Sequence, residues 1–289
     1  MKILVLGSGF LAASIVKRLE SDGHELLVFS RTSNARINCE QILGDIFDFE
    51  GFVRVLDWKP QIIIHTVWIT TPGVYRNDLS NIKYSQFTTA LTEYVTNSEV
   101  EHLIILGTCA EYGHQNAPSI AGITNLAPST LYAEQKVLAF NSAKKLMQRS
   151  GTKFTWARIF YPYGPHQDHK RLIPHLIRSL QNGEPIVLAD TSSIHDWITT
   201  RDIASAISWV IKNDLPVEID VGTSIGHTNL EILVTLQEIL QTTNQLQARE
   251  LVNLGHNEVF VAGKTSPLFK SGWSPTDSLI TGLEWVLSK

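Results

Sequence analysis

The chain has 289 residues, 43% hydrophobic and 18% charged, with a formal net charge of −4 at pH 7. That size suits one large domain or two intimately joined ones, and the composition is that of an ordinary globular enzyme. The acidic balance argues against nucleic acid or an anionic membrane as partner. Two cysteines, Cys39 and Cys109, make no disulfide framework and point to a reducing cytoplasm.

At the N-terminus, Lys2 followed by an apolar run over residues 3–16 imitates a secretory signal. A strand, a glycine turn and a helix running into Lys17, Arg18 and Glu20 account for the same residues. No stretch reaches the ~18 apolar residues of a membrane span. Further apolar runs at 25–29, 61–65, 102–106 and 154–159 join 3–6 as expected buried parallel strands, with helical patterns at 11–21, 80–98 and 132–149 between them. This alternation predicts an α/β fold, a Rossmann-type doubly wound parallel sheet whose ligands sit outside the carboxyl ends of the strands.

After Phe160, Tyr161-Pro162-Tyr163-Gly164-Pro165 breaks the pattern. Beyond it we expect a helix at 173–182, a short strand at 186–188, a helix at 201–212, a strand at 219–222 and a helix at 230–243. The division expected is a dinucleotide-binding domain over 1–160 and a smaller, interleaved substrate lobe over 161–289, with the main sheet rejoined by residues 200–225.

Gly7-x-Gly9-x-x-Ala12 opens a helix directly after the first strand. Glycines there allow a tight turn and close approach of a pyrophosphate to backbone N–H groups at a helix N-terminus. The second strand ends in Ser30-Arg31-Thr32, where an NAD-preferring site usually carries a carboxylate. Arg31 can instead pair with a 2′-phosphate, so the cofactor expected is NADP(H). Asp45 is placed to accept from an adenine amino group. Phe10, Leu11, Ile46, Thr66 and Phe160 complete the expected cofactor contacts.

Tyr132 and Lys136 stand four apart on a helix and share a face. A free phenol titrates near ~10, and a neighbouring cation favours its phenolate, which would bring Tyr132 closer to acid–base use. Thr108, at the end of an earlier strand, adds a hydroxyl. His166, Asp168 and His169 lie in a Gly-Pro-rich loop with no fourth partner nearby, and no metal site is expected.

With Gly7, Thr108, Tyr132 and Lys136 in this order, the chain resembles the extended short-chain dehydrogenase/reductases, in particular the NAD(P)-dependent sugar-nucleotide epimerases, dehydratases and reductases. The resemblance runs over nearly the whole chain. It includes Lys59-Pro60 before the fourth strand, Asn81-Ile82, Thr108 through Tyr112-Gly113, Pro128, Arg158 through Pro165, His195-Asp196-Trp197, Arg201-Asp202 and Gly272-Trp273-Ser274-Pro275. It implies that Tyr132 is the acid–base on a sugar oxygen, that Thr108 hydrogen-bonds the same oxygen, and that Lys136 holds the nicotinamide ribose. It also implies a nucleotide-sugar substrate and a homodimer built from two helices per subunit, 80–98 and 132–149.

The departures narrow the chemistry. The resembling 4,6-dehydratases carry Asp-Glu after the catalytic Thr, where this chain has Cys109-Ala110. The resembling GDP-fucose synthases have a Cys and a His where it has Ala110 and Arg171. Trp68 replaces a small residue near cofactor or substrate, Tyr161 replaces a frequent Asn, and His195 replaces an Arg that often grips phosphate. Arg171, Lys170 and Arg201 are candidates for the missing cation, and Glu111 for a further substrate contact. Substrate contacts are therefore expected from Trp68, Glu111, Tyr161, Arg171 and His195. The function expected first is an NADPH-dependent 4-ketoreductase of a nucleotide-linked 4-keto-6-deoxy sugar. The alternatives are an NAD-dependent nucleotide-sugar epimerase, a reductase of a non-nucleotide carbonyl, and a non-catalytic NADP-binding regulator.

Overall fold

The computed structural model describes residues 1–186, 188, 190–242 and 258–289. In chain order the elements are β1 (Lys2–Leu6), α1 (Phe10–Ser21), β2 (Glu25–Ser30), β3 (Glu40–Leu43), α2 (Phe49–Val55), β4 (Ile62–His65), α3 (Ser80–Val95) and β5 (His102–Thr108). A 3₁₀ turn (Cys109–Tyr112) leads to α4 (Leu131–Met147), β6 (Lys153–Ile159), β7 (Tyr161–Tyr163), α5 (Leu172–Asn182), β8 (Ile194–His195), β9 (Trp197–Thr199) and α6 (Thr200–Lys212). Then come β10 (Glu218–Val221), β11 (His227–Thr228), α7 (Asn229–Leu240), β12 (Val259–Phe260), α8 (Pro267–Lys270) and α9 (Leu279–Leu287).

The main sheet is parallel, in the order β10-β6-β5-β4-β1-β2-β3. Its central strands are apolar at nearly every position because both faces are covered. Ile3, Val5, Ile62, Ile64, Ile104 and Leu106 face a core shared with α1 and α6. Leu4, Leu6, Ile63, Leu103 and Ile105 alternate to the other face, against α2, α3 and α4. A third core, from Tyr163 through Leu176 and Leu233 to Leu283, belongs to the lobe helices α5, α7 and α9.

The expected strands and helices at 3–6 through 154–159 are present with shifted ends, and β10 closes the sheet beside β6. Among the described residues, several elements escaped the pattern: β3 and α2 before β6, and β7, β8, β9, β11, β12, α8 and α9 after it. Strand β3 is a half-exposed edge with no apolar run, and α2 is a short helix containing Gly51 and capped by Asp48. The expected strand at 186–188 is not formed at Ile186 or Leu188, which are buried without regular structure; Val187 lies outside the described residues. Helix α7 ends at Leu240, followed by Gln241 at φ 52°, while Thr243 lies outside the described residues. After residue 161 the chain returns to the first core, where α6, β10, Leu268 and Trp273 all pack.

Candidate active site

The carboxyl ends of β1, β2, β4, β5 and β6 open into a cleft of about 830 Å³. Gly7 turns the chain at φ +104°, and a Cβ there would meet the Thr66 hydroxyl at 2.6 Å, so only glycine fits. Gly9 caps α1 without a side-chain bond and has no heavy atom within 4 Å of where a Cβ would stand. A phosphate could therefore reach the unbonded N–H groups of the first turn. The Ser8 and Ser30 hydroxyls both donate to the Thr32 carbonyl at 2.8 Å, tying the β1 turn to the end of β2. Arg31 stands exposed beside the Tyr84 phenol, while Asp45 accepts from Phe47 N at 3.0 Å. These features fit a dinucleotide. All the expected cofactor residues line the cleft: Gly7, Gly9, Phe10, Leu11, Ser30, Arg31, Thr32, Asp45, Ile46, Thr66, Lys136 and Phe160.

Thr108 ends β5 and caps the 3₁₀ turn, accepting from Ala110 N at 3.3 Å. Tyr132 begins α4, whose Thr130 cap accepts from Ala133 N at 3.3 Å; its own N–H donates to the Arg76 carbonyl at 2.9 Å. Lys136 lies one turn on, buried, with Nζ donating to the Leu106 carbonyl at 2.6 Å and standing 3.8 Å from the Trp68 ring centroid. The structure thus gathers the expected catalytic trio in one cleft. The expected lowering of the phenol does not appear. Burial pushes Tyr132 up, and the Thr108 hydroxyl close to it pulls part of that shift back. Burial instead draws Lys136 down to about 7.

Two expected substrate residues are not in the cleft. The Glu111 carboxylate points inward, fully buried, where it accepts from Thr108 N at 2.8 Å, Trp156 Nε1 at 3.0 Å and Arg158 Nε at 2.7 Å. It builds the strand end and is not among the residues that line the cleft. His195 is closed into the β8–β11 pairing, with its ring centroid 4.1 Å from Tyr161 and stacked on Phe260 at 5.9 Å. Burial lowers it to about 4, which favours the neutral ring at neutral pH. Asp196 beside it accepts from Thr223, Ser224 and Ala262 N–H groups, which makes this motif a brace between lobe and sheet. Trp68, Tyr161 and Arg171 do line the cleft.

Of the other candidate cations, Arg201 is spent on Asp277, and Lys170 does not line the cleft. Sequence reasoning missed Tyr75 and Arg76, which also line the cleft. The Tyr75 ring lies edge-on to Tyr132 at 5.0 Å and under the Arg171 guanidinium at 5.3 Å. Their one signal was position, in the loop that follows the carboxyl end of β4. Trp197, Glu258 and Phe260 also line the lobe side. Among the described residues, no group of three His, Cys, Asp or Glu side chains is placed to hold a metal ion, and no helix is long and apolar enough to cross a membrane.

A Rossmann-type sheet with a glycine turn after β1 and a Thr-Tyr-Lys trio at its carboxyl edge defines an extended short-chain dehydrogenase/reductase. Residues 3–222 match the model of the NAD dependent epimerase/dehydratase family, and the chain belongs to that family. It is 22% identical to a UDP-glucose 4-epimerase of Lactobacillus helveticus, over 99% of this chain and 97% of the relative. Its fold superposes with a TM-score of 0.85 on the UDP-glucose 4-epimerase of Thermotoga maritima solved with UDP-glucose, at 20% identity over 100% of this chain and 98% of that one. The Thermus thermophilus UDP-glucose 4-epimerase complexed with NAD gives 0.82 at 22% identity, over 99% of both chains. The protein is thus an enzyme of the NAD-dependent sugar-nucleotide epimerase/dehydratase type. These relatives favour the epimerase alternative over the ketoreductase expected first.

Proposed function

We propose that this protein is a nucleotide-sugar 4-epimerase that retains its nicotinamide cofactor through the catalytic cycle. The observation that carries the proposal is the inward turn of Glu111. With Cys109 and Ala110 as its neighbours, the strand end offers Thr108 and Tyr132 to the reacting carbon and no carboxylate pair for elimination. A bound oxidised nicotinamide would take the hydride from the sugar carbon and then return it to the opposite face. Tyr132 takes the proton of the sugar hydroxyl and later returns it, and Thr108 steadies the charge that builds on that oxygen. Lys136 holds the nicotinamide ribose. Arg171, Tyr161 and Trp68 contact the nucleotide sugar.

Arg31 favours a second reading, an NADPH-dependent 4-ketoreductase, because a guanidinium at the end of β2 suits a 2′-phosphate. Residence in the cytoplasm, which suits the two free thiols, belongs to the same proposal. So does a homodimer through α3 and α4, where Ile82 and Leu138 are exposed.

The purified protein should interconvert C4 epimers of a UDP-, dTDP- or GDP-linked hexose with no added cofactor, followed by NMR. Consumption of NADPH on 4-keto-6-deoxy nucleotide sugars, without epimerisation, would shift the assignment to the reductase. Failure in both assays removes both. Tyr132→Phe should lower turnover by about 10²–10⁴-fold while leaving cofactor binding intact.

A further inference from the structure

Trp68 stands where a small residue is expected, and its surroundings fix it. The indole is 8% exposed. Its Nε1–H donates to Asn81 Oδ1 at 2.7 Å, and Asn81 Nδ2 donates in turn to the Tyr75 and Asp78 carbonyls at 2.7 and 2.8 Å. Every polar atom of that amide is used, so its orientation is set. The indole stacks on Tyr84 at 5.7 Å and meets Tyr132 edge-on at 6.4 Å. The Lys136 ammonium lies 3.8 Å from its ring centroid, a cation–π distance in a dry site.

Of the other groups around this ammonium, one carboxylate favours its charge. Glu111, from the 3₁₀ turn, favours it, but that carboxylate is closed on Arg158. His65, from β4, is neutral, its ring drawn down to about 3 by burial. Tyr132, from the same helix, has its phenol pushed up. Trp156, from β6, offers a second ring at 5.8 Å. The nearest aid is thus the Trp68 face together with the Leu106 carbonyl.

We propose that Trp68 is a positioning residue for Lys136: its indole face keeps the buried ammonium charged and aimed into the cofactor end of the cleft. This rests on the reading that Lys136 grips the nicotinamide ribose. An ammonium has three donors. One goes to Leu106, one side of the group rests on the ring, and a donor remains for a ribose hydroxyl. Lys136 titrates near neutrality, about 7, so a modest loss of ring stabilisation changes how much of it is charged under working conditions.

The test is the pH dependence of NADH and NADPH affinity, measured by fluorescence on the full chain freed of co-purifying nucleotide. In the wild type, affinity should fall as pH rises through neutrality, because the gripping ammonium is lost. Trp68→Leu keeps an apolar filler but removes the ring face, and should move that midpoint down by roughly one pH unit. Trp68→Phe keeps a smaller face and should move it less. In Lys136→Arg the cation does not titrate, so the profile should be flat and indifferent to Trp68→Leu. Uniform weakening at every pH, with the wild-type midpoint retained in Trp68→Leu, would overturn the proposal and leave the indole as packing. Should Lys136→Met bind both nucleotides as the wild type does, the ribose-gripping role itself is lost, a different failure from that of Trp68.

Discussion

Two cations are buried close to β5, and their fates differ. Arg158, whose side chain is 0% exposed, is answered by Glu111 at 2.7 Å and Glu218 at 2.9 Å. Lys136 is buried too, 4% exposed on the cleft wall, and among the described residues its ammonium meets a carbonyl and an indole face and no carboxylate within ion-pair distance. Partner charges push the Arg158 guanidinium up despite its burial, whereas burial draws Lys136 down to about 7. A paired charge in a dry interior is locked in one protonation state and serves as framework. An unpaired one is left able to change state near neutrality, which is what a cofactor site can use.

The strongest way to break this contrast is to unpair the framework charge. Glu111→Ala leaves Arg158 with Glu218 alone, and strips the acceptor from Thr108 N and Trp156 Nε1. Unfolding free energy should drop by about 3–5 kcal/mol, read by chemical denaturation of the full chain. Glu111→Gln, which still accepts from those two donors, should lose less. A drop below about 1 kcal/mol for the alanine variant would place Glu111 with ordinary surface carboxylates and dissolve the contrast.

The opposite manipulation is to delete the unpaired charge. Lysine in an unfolded chain titrates near ~10.4, and Lys136 in the folded one at about 7. Between those values the unfolded chain holds more protons, so wild-type stability rises with pH across this window, and the benefit is lost as pH falls through the folded value. Lys136→Met has no such dependence. The stability of the wild type relative to Lys136→Met should therefore climb from neutral to alkaline pH, on the order of 4–5 kcal/mol in all. Paired thermal melts across that range give the slope. A flat difference would mean the ammonium is already satisfied in the fold.

The contrast also separates what the sequence disclosed from what it withheld. Runs such as 3–6 and 103–106 are apolar at every position, and that alone marked them as central parallel strands. Gly7, Gly9, Tyr132 and Lys136 were legible because each depends on neighbours within one turn or one helix face. The direction of Glu111 was not legible. Its partners Trp156 and Arg158 lie 45 and 47 residues on, and only the β5–β6 pairing brings them alongside. The same holds for Lys136, whose local pattern gave the spacing to Tyr132 but not the ring of Trp68 beneath it. His195 was expected against substrate, and only the β8–β11 pairing and the Phe260 stack show it enclosed. Short edge elements such as β3 carry too few apolar residues to be seen.

Lys144 gives the smallest effect and the finest test of burial as the deciding variable. Its ammonium donates to Glu218 Oε1 at 2.6 Å, extending the Glu111–Arg158 chain of charges toward the surface, but its side chain is 40% exposed. Glu218 lies between the two regimes. It faces Arg158 inward and Lys144 outward, and those two cations hold its carboxyl low against the cost of burial. If the energy resides in the buried link, Lys144→Ala should cost only about 0.2–1 kcal/mol, because Glu218 keeps Arg158 and water replaces the ammonium. Added salt should shrink even that, since an exposed pair is screened where the Glu111–Arg158 pair is not. A loss for Lys144→Ala as large as for Glu111→Ala, unmoved by salt, would mean that the three charges act as one unit and that exposure does not rank them.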